Sequence, residues 1–355
     1  MPAPRPQLPV AFRGTNGRYD IVTGHTHYTI RLRHTGYFFK VLFRARDCDI
    51  IYAQDPVSVG LPACLVALIL RKPFYLKIVG DYAWEQGVQR FGVTDLLDEF
   101  STRNRYSFLV RVMKYIQTKV ARYATRIIVP SKYLKRIVMN WGIAGDKISI
   151  IYNAFEPLET LATREVLRRK LGFSGKVISS VGRLVPWKGF EGLISVFSEL
   201  QKNKPALRLV IVGEGPDRDT LEQCAQKLRV ADAVLFTGRL AQHEMLEYVK
   251  ASDVFVLNTS YEGFSHQLLE VLAVGTPCVT TNVGGNVEII RDGENGLLFP
   301  YNDLPKLKKS IELVLGDKDL VERITANGQN AVLSYSSDRM ISELMQELGR
   351  SRKNS

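Results

Sequence analysis

Short runs of β-branched and other apolar residues alternate along the chain with longer stretches whose apolar positions recur at helical spacing. In the first half these runs predict strands at Asp20–Thr23, Asp49–Ala53, Phe74–Val79, Arg126–Val129 and Ile148–Tyr152. In the second half they predict strands at Lys176–Val181, Arg208–Val212, Val234–Thr237, Val254–Asn258, Pro277–Thr280 and Gly296–Phe299. Amphipathic helices are predicted between them, as at Phe190–Lys202, Arg218–Leu228, His243–Lys250 and Leu304–Leu315. This alternation is typical of α/β domains, in which helices cover both faces of a parallel sheet.

Eleven predicted strands are more than the single sheet of one compact domain usually contains, so the pattern favours two domains. The break falls near Phe155–Thr163, where a strand ends, Pro157 appears and the charge balance changes. We therefore predict an N-terminal domain over residues 1–155, a second domain over residues 156–335, and a C-terminal helix and tail over residues 336–355. A length of 355 residues is sufficient for two such domains, each with its own core.

The excess of positive charge lies in the first half of the chain. The net charge is +12, and residues 1–155 hold 23 Lys and Arg against 10 Asp and Glu. No acidic residue occurs from Phe100 to Gly145, a stretch that carries ten basic ones. Such a field attracts anionic lipid, nucleic acid or a phosphorylated substrate, although a solvated surface with spare charge remains an alternative.

Cellular location is indicated by weaker features. The four cysteines have no paired spacing, which favours a reducing compartment over a disulfide framework. The start of the chain has no apolar core of a signal peptide, and the longest apolar run, Val59–Leu70, is too short to span a bilayer. We expect a cytoplasmic protein that could associate with the inner face of the plasma membrane.

Two glycine-containing turns follow predicted strands in the second half. In Val181–Phe190 (VGRLVPWKGF), Gly182 permits a tight turn. Arg183 and Lys188 suit a diphosphate, because a guanidinium group can donate two parallel hydrogen bonds and an ammonium group is a compact positive charge. In Val212–Pro216 (VGEGP), Gly213 permits close approach of the backbone to a ligand. Ligands bind at such junctions in parallel sheets, but exposed basic residues and plain turns are the alternatives.

The segment Asn258–Glu270 (NTSYEGFSHQLLE) is the most informative. Ser265 is predicted to cap a helix running to about Val274, whose first N–H groups could hold a phosphate or sugar hydroxyls. Glu262 in the loop and Glu270 in the helix could accept hydrogen bonds from hydroxyls. A glycosidase acid/base pair is also conceivable, but the basic and glycine-rich loops favour a phosphate donor.

A further pair of glycines, Gly284 and Gly285, follows the strand predicted at Pro277–Thr280. The pair permits a tight turn into a helix that begins near Asn286. Contact with a ligand and simple packing of the turn are both compatible with this pattern.

Together these segments, with FTGRL at 236–240 and NVGGNVEII at 282–290, resemble the retaining glycosyltransferases of family 4, which have a GT-B fold. The spacing from Glu262 to Glu270 matches the E-x7-E signature of that family. The resemblance is close over residues 176–300 and looser upstream. It implies two Rossmann-like domains that face each other, the first binding an acceptor and the second a nucleotide-sugar donor.

The resemblance also implies a role for each matching residue. Arg183 and Lys188 would hold the donor diphosphate, Glu270 the ribose hydroxyls, and Glu262 the transferred sugar. The donor would be a UDP-, GDP- or ADP-sugar, with no cofactor and no metal. The remaining donor-binding residues would be Gly182, Gly213, Gly238, Arg239, Leu240, Gly263, Phe264, Ser265 and Leu268.

Two departures from the family concern the first half. Asp20–Thr23 looks like the second strand of the family, so the first strand, its glycine-rich loop and its helix are expected to be lacking. The family often carries a His after the strand that matches Phe74–Val79, whereas this chain has Asp81. Asp81 could contact the sugar or acceptor as a catalytic residue, or cap a helix. His25 and His27 are alternatives that are more easily explained as structural or surface residues.

The sequence therefore predicts transfer of a hexose or similar sugar, with retention of anomeric configuration, to a glycan or lipid-linked acceptor. Synthesis of cell-envelope polysaccharide or glycolipid is the expected context, with the basic first half docked on an anionic membrane. The helical segment Ser107–Ala124 could lie at that surface. A catalytically impaired nucleotide-sugar-binding protein is the alternative. Nucleic acid is not an expected partner, because no nucleic-acid-binding motif accompanies the charge.

Overall fold

The computed structural model describes residues 10–14, 19–22, 30–155 and 161–349, with side chains described from residue 36 onward. The chain divides into two compact units. The first unit takes the described parts of Met1–Tyr152 and Ile341–Ser355, and the second takes those of Asn153–Met340. The sequence placed the division between residues 155 and 156, whereas the contacts place it after Tyr152 and join the end of the chain to the first unit.

The first unit is built on a six-stranded sheet in the order β2-β1-β3-β4-β5-β6. Strands β3 to β6 are parallel, whereas β1 pairs antiparallel with both β2 and β3. The strands are β1 (Val10–Gly14), β2 (Tyr19–Val22), β3 (Cys48–Ala53), β4 (Phe74–Lys77), β5 (Arg126–Val129) and β6 (Ile148–Ile150). The helices are α1 (Ile30–Ala45), α2 (Gly60–Leu70), α3 (Tyr82–Arg90), α4 (Leu97–Thr102), α5 (Phe108–Tyr123) and α6 (Lys132–Asn140).

The second unit contains a fully parallel sheet in the order β12-β11-β10-β7-β8-β9. Its strands are β7 (Val177–Val181), β8 (Arg208–Val212), β9 (Val234–Gly238), β10 (Val254–Leu257), β11 (Cys278–Thr281) and β12 (Leu297–Phe299). Its helices are α7 (Arg164–Lys170), α8 (Phe190–Asn203), α9 (Arg218–Lys227), α10 (Gln242–Ala251), α11 (His266–Val274), α12 (Asn286–Ile289), α13 (Leu304–Gly316) and α14 (Lys318–Val332).

The core of the second unit explains why its strands can be predicted from the sequence. Every residue of β7, β10 and β11 is buried, as expected of strands covered by helices on both faces. Such strands read as continuous apolar runs, and the carboxyl ends of all of them open on one edge of the sheet. The loops at that edge carry the sequence motifs described above.

The last helix, α15 (Ser337–Gly349), begins in the second unit and ends in the first. Its Glu347 is buried and accepts a hydrogen bond from Nε of Arg126 in β5. This ion pair removes one cation from the basic stretch of the first unit. The C-terminal helix is thus anchored to the first sheet.

The α/β fold class and all eleven predicted strands are confirmed, with strand ends that shift by one or two residues. The sequence pattern does not predict β1. Where a first strand and helix were expected to be lacking, the described residues place β1 and β2 as an antiparallel pair beside β3. The first sheet is therefore mixed rather than wholly parallel.

Candidate functional site: the loops at the carboxyl edge of the second sheet

Three glycines connect the carboxyl ends of the neighbouring strands β7, β8 and β9. The N–H of Gly182 donates to the Val212 carbonyl at 3.0 Å, and the N–H of Gly213 donates to the Gly238 carbonyl at 2.9 Å. Gly213 has a φ of +144°, and a Cβ there would lie 1.9 Å from the carbonyl oxygen of Gly182. Only glycine fits at position 213, where the backbones of the neighbouring loops pack closely against each other.

The loop that carries Arg183 and Lys188 is tied to the loop after β10. The carbonyl of Trp187 accepts hydrogen bonds from the Thr259 hydroxyl at 3.0 Å and from the Ser260 N–H at 2.8 Å. Gly189, with φ of +59°, packs against the backbone of Asn258, where a Cβ would lie 2.2 Å from the carbonyl oxygen. These contacts fix the position of Lys188 relative to the segment that contains Glu262.

Lys188 and Glu262 are in direct contact. The Lys188 ammonium group donates a hydrogen bond to Oε1 of Glu262, and the two side chains are only 12% and 14% exposed. A charge-assisted hydrogen bond with so little solvent around it is stronger than a surface ion pair. The structure thus brings together two of the residues that the motifs predicted. Arg183, from the same loop as Lys188, is partly buried.

The backbone of Glu262 rests on the turn formed by Gly284 and Gly285. The N–H of Gly285 donates to the Glu262 carbonyl at 2.8 Å. Gly284 has a φ of +57°, and a Cβ there would lie 2.2 Å from the same carbonyl oxygen. A Cβ on Gly285 would lie 2.3 Å from the carbonyl of Gly263. The glycine pair is therefore a support for the Glu262 loop, a role that the sequence alone did not distinguish from turn packing.

The capping role predicted for Ser265 is confirmed, since its hydroxyl accepts a hydrogen bond from the Leu268 N–H at 3.3 Å at the start of α11. The Leu268 side chain is fully buried, and the Phe264 ring packs against Tyr335 with a centroid distance of 5.5 Å. The side chains of Phe264 and Leu268 therefore serve the core. Gly263, like Ser265, is buried.

Glu270 is held by a residue that the motifs did not indicate. The side-chain amide of Gln242, the first residue of α10, donates to Oε1 of Glu270 at 2.6 Å. Burial raises the pKa of Glu270, and the Gln242 hydrogen bond opposes this shift. Gln242 follows the segment that contains Arg239, which is exposed, and Leu240, which is partly buried. Its role could be found only from the contact, because the two residues lie 28 positions apart.

Asp81 is the predicted catalytic candidate of the first unit. It is fully buried at the N-terminus of α3, where Oδ1 accepts hydrogen bonds from the Trp84 N–H at 2.9 Å and the Gln117 amide at 3.1 Å. Burial raises the pKa of Asp81, and both hydrogen bonds oppose the shift. The structure thus gives Asp81 the capping role, while its catalytic role stays a prediction. His25 and His27 lie outside the described residues.

No group of three or more His, Cys, Asp or Glu in the described ranges is placed to hold a metal ion. The loops at the carboxyl edge of the second sheet carry the cations of Arg183 and Lys188, the carboxylates of Glu262 and Glu270, and backbone groups. Cations of this kind suit a diphosphate, and carboxylates suit hydroxyl groups.

Two family models, one for each half of the chain, together match most of its length. Residues 163–331 match the family described as Glycosyl transferases group 1, and residues 3–157 match Glycosyltransferase Family 4. An uncharacterized glycosyltransferase of Methanocaldococcus jannaschii is 34% identical over 244 residues, which cover 66% of this chain and 61% of that protein. The lipopolysaccharide core biosynthesis glycosyltransferase LpsE of Rhizobium meliloti is 34% identical over 172 residues, 48% of this chain and 49% of that one. The chain thus matches about half to three-fifths of the length of these relatives.

Solved structures share the fold. HepE of Anabaena in complex with UDP-glucose has a TM-score of 0.74 at 22% identity, covering 88% of this chain and 82% of that one. Sucrose-phosphate synthase of Thermosynechococcus elongatus has a TM-score of 0.75 at 20% identity, covering 97% and 86%. These likenesses identify the GT-B fold. With one family matching each half, the chain belongs to the glycosyltransferases, its first half to family 4 and its second half to group 1.

Proposed function

We propose that this chain transfers a sugar from a nucleoside-diphosphate donor, with retention of anomeric configuration, to a lipid-linked acceptor in the synthesis of cell-envelope polysaccharide or glycolipid. The contact between Lys188 and Glu262 carries the proposal. It puts a cation for the diphosphate and an acceptor for sugar hydroxyls side by side. Such an arrangement suits a site where the bond between sugar and phosphate is broken.

In this proposal Arg183 and Lys188 hold the diphosphate and stabilise the negative charge that develops on it as it leaves. When the donor binds, the Lys188 ammonium group exchanges part of its hydrogen bonding from Glu262 to a phosphate oxygen. Glu262 is then free to accept hydrogen bonds from the sugar hydroxyls. After the exchange both charges remain hydrogen-bonded, Lys188 to the phosphate and Glu262 to the hydroxyls, in a nearly buried setting where an unsatisfied charge is costly.

Glu270 accepts the ribose hydroxyls, with Gln242 holding one of its carboxylate oxygens in place. A ribose offers two neighbouring hydroxyl donors, and an ionised carboxylate is an acceptor with several lone pairs. The solved complex of HepE contains UDP-glucose. A UDP-sugar is therefore the first donor to test, with GDP- and ADP-sugars beside it.

An apolar cavity in the first unit supports a lipid-linked acceptor over a free glycan. The cavity has a volume of about 530 Å³ and lies beside the loops that follow β3 and β4, at the carboxyl edge of the first sheet. A free sugar would need several polar partners, but the wall offers little besides the hydroxyls of Ser58 and Tyr82. The apolar lining comes from Phe38, Phe39, Leu61, Pro62 and Leu65. Such a wall suits the hydrocarbon chain of a lipid carrier.

One face of α5 would bring the first unit to an anionic membrane. Phe108 and Tyr115 are 74% and 62% exposed on this helix. Arg111, Lys119 and Arg122 follow at helical spacing, and no ion pair within the described ranges engages them. We call these five residues the α5 face. Interleaved aromatic and basic side chains suit the headgroup layer of a bilayer. Across the described residues, none of the helices has the length and apolar content needed to cross a membrane.

A transfer assay tests the proposal directly. The full chain is incubated with UDP-, GDP- or ADP-hexose and a polyprenyl-diphosphate-linked sugar, and label is followed into the organic phase. We expect transfer from one donor, and an α-linked product from an α-linked donor by NMR. Binding of donors without transfer or hydrolysis would favour the catalytically impaired binding protein instead.

A further inference from the structure

A second cavity of the second unit lies at the opposite edge of its sheet from the candidate donor site. Its volume is about 630 Å³. Lys176, Asp253 and Pro277 line it, and each immediately precedes a strand, namely β7, β10 and β11. The far wall comes from the end of α13 and from α14. The lining shares no residue with the candidate donor site, so an occupant here would not compete with the donor for the same residues.

The cavity carries more positive than negative charge. Four cations line it, against the carboxylates of Asp253 and Glu322; these cations are Arg164, Lys176, Lys250 and Lys318. An excess of positive charge around a concave surface raises the local concentration of anions.

The single negative charge of Asp253 cannot neutralise the several positive charges around it. Its carboxylate is 7% exposed and forms ion pairs with Arg164 at 2.7 Å, Arg168 at 3.1 Å and Lys176 at 2.9 Å. Burial would raise the pKa of Asp253, but hydrogen bonds from Lys176, the Val177 N–H and Arg164 hold the pKa below its ordinary value. Three cations thus surround one permanent carboxylate, and Lys250 and Lys318 add further charge to the same cavity.

Two buried polar atoms of the lining residues lack a partner. Nε of Arg164 and the hydroxyl oxygen of Thr325 are both inaccessible to solvent and without a hydrogen bond in the part of the chain that the structure describes. A buried donor without an acceptor is costly, and an orphaned guanidinium N–H is best satisfied by an oxyanion. Part of the wall is apolar, through Pro277, Val314, Leu315 and Val321.

We propose that this cavity binds a small phosphorylated organic molecule, with the phosphate against Arg164, Lys250 and Lys318 and the carbon body against Leu315 and Val321. The surplus charge selects the phosphate, and the apolar wall selects an ester over free phosphate. The ligand would act as an effector that stabilises the donor-binding unit, because a molecule that binds only the folded state shifts the folding equilibrium toward it.

Phenyl phosphate is the probe for this site. Inorganic phosphate and phenol, which represent its charged group and its apolar body, are the comparison ligands, and all three are tested at constant ionic strength. Binding is measured by thermal shift and calorimetry in the Arg183→Ala/Lys188→Ala variant, so that phosphate binding at the candidate donor site does not contribute to the signal. We expect phenyl phosphate to bind more tightly than phosphate, and phenol not to bind measurably. The added substitutions Lys250→Gln/Lys318→Gln leave the ion pairs of Asp253 intact and should weaken binding by about tenfold or more.

Lys202→Gln/Lys227→Gln is the matched control, since both lysines are exposed on other helices of the same unit. It should leave the affinity for phenyl phosphate unchanged. The proposal is overturned if phenyl phosphate does not bind the donor-site variant, or if the Lys250 and Lys318 substitutions weaken binding no more than the control. Either result would leave the proposed sugar transfer untouched, because none of these lysines belongs to the candidate donor site.

Discussion

Lys188 donates a hydrogen bond to Glu262 across 74 positions of the chain, and both side chains are nearly buried at the carboxyl edge of the second sheet. The carbonyl of Trp187 fixes one partner by accepting hydrogen bonds from Thr259 and Ser260. The Gly284–Gly285 turn supports the other. The pair is therefore positioned by backbone contacts from three loops rather than by its own attraction alone.

Glu270 offers a test in which stability and function should move in opposite directions. Burial raises the pKa of this carboxyl in the folded state, so the stabilisation present below its unfolded pKa is lost as pH rises through the folded pKa. Glu270→Gln keeps the hydrogen bond to Gln242 without the buried charge. At pH 7 its melting temperature should be higher than that of the wild type, and donor affinity about ten- to a hundredfold weaker.

The pH dependence supplies the control for that prediction. Below about pH 3 the wild-type carboxyl is protonated in both states, so the difference in melting temperature should disappear. Wild-type donor affinity should begin to fall at a higher pH than an ordinary glutamate would give. A Glu270→Gln variant that binds donor as well as the wild type would remove Glu270 from the site.

A substitution at Gly284 should reduce turnover by more than backbone strain alone would explain. Gly284→Ala places a Cβ against the Glu262 carbonyl and should displace that loop, reducing turnover strongly as well as stability. Gly293→Ala is the matched control, because Gly293 also has a positive φ, of +72°, but has no atom within 4 Å of the added Cβ. It should cost only about 1–2 kcal/mol of strain and leave turnover intact. Equal kinetic effects of the two substitutions would contradict the supporting role of Gly284.

Two roles of Asp81 can be distinguished by a pair of substitutions. Asn caps helices nearly as well as Asp, whereas Ala removes the cap and should cost about 0.5–2 kcal/mol of unfolding free energy. Because Asp81 is fully buried and bonded to Trp84 and Gln117, we expect Asp81→Asn to retain both melting temperature and turnover. Full stability with lost turnover in Asp81→Asn would establish the catalytic role instead.

The α5 face predicts binding to acidic vesicles. Replacing Arg111, Lys119 and Arg122 by Gln should weaken sedimentation with phosphatidylserine-containing vesicles by roughly a hundredfold, at about 1 kcal/mol per charge. Binding of the wild type should fall as salt is raised. The exposed lysines Lys202, Lys204 and Lys227 of the second unit provide a control triple variant of equal charge. Equal losses in both variants would show that only net charge matters.

Much of this architecture was predictable because its strands are buried on both faces and read as apolar runs, as in β7 and β10. Strand β1 was not, since a five-residue segment that pairs antiparallel with β2 and β3 depends on partners distant in sequence. Motif spacing singles out Arg183, Lys188, Glu262 and Glu270, whose roles stay predictions. It could not reveal that Gln242 holds Glu270, or that Gly284 supports Glu262, because those are contacts between separate loops.

The proposed donor site requires that the second unit bind a nucleoside-diphosphate sugar through Lys188. This binding can be measured by calorimetric titration of the wild type and Lys188→Ala with UDP, GDP, ADP and their hexose derivatives, with Lys202→Ala as the control. We predict that one nucleotide family binds the wild type and the control, and that Lys188→Ala weakens its affinity by at least about tenfold. Undiminished affinity in Lys188→Ala would show that Lys188 does not bind the donor, and no binding of any of these nucleotides to the wild type would rule out the donor site itself.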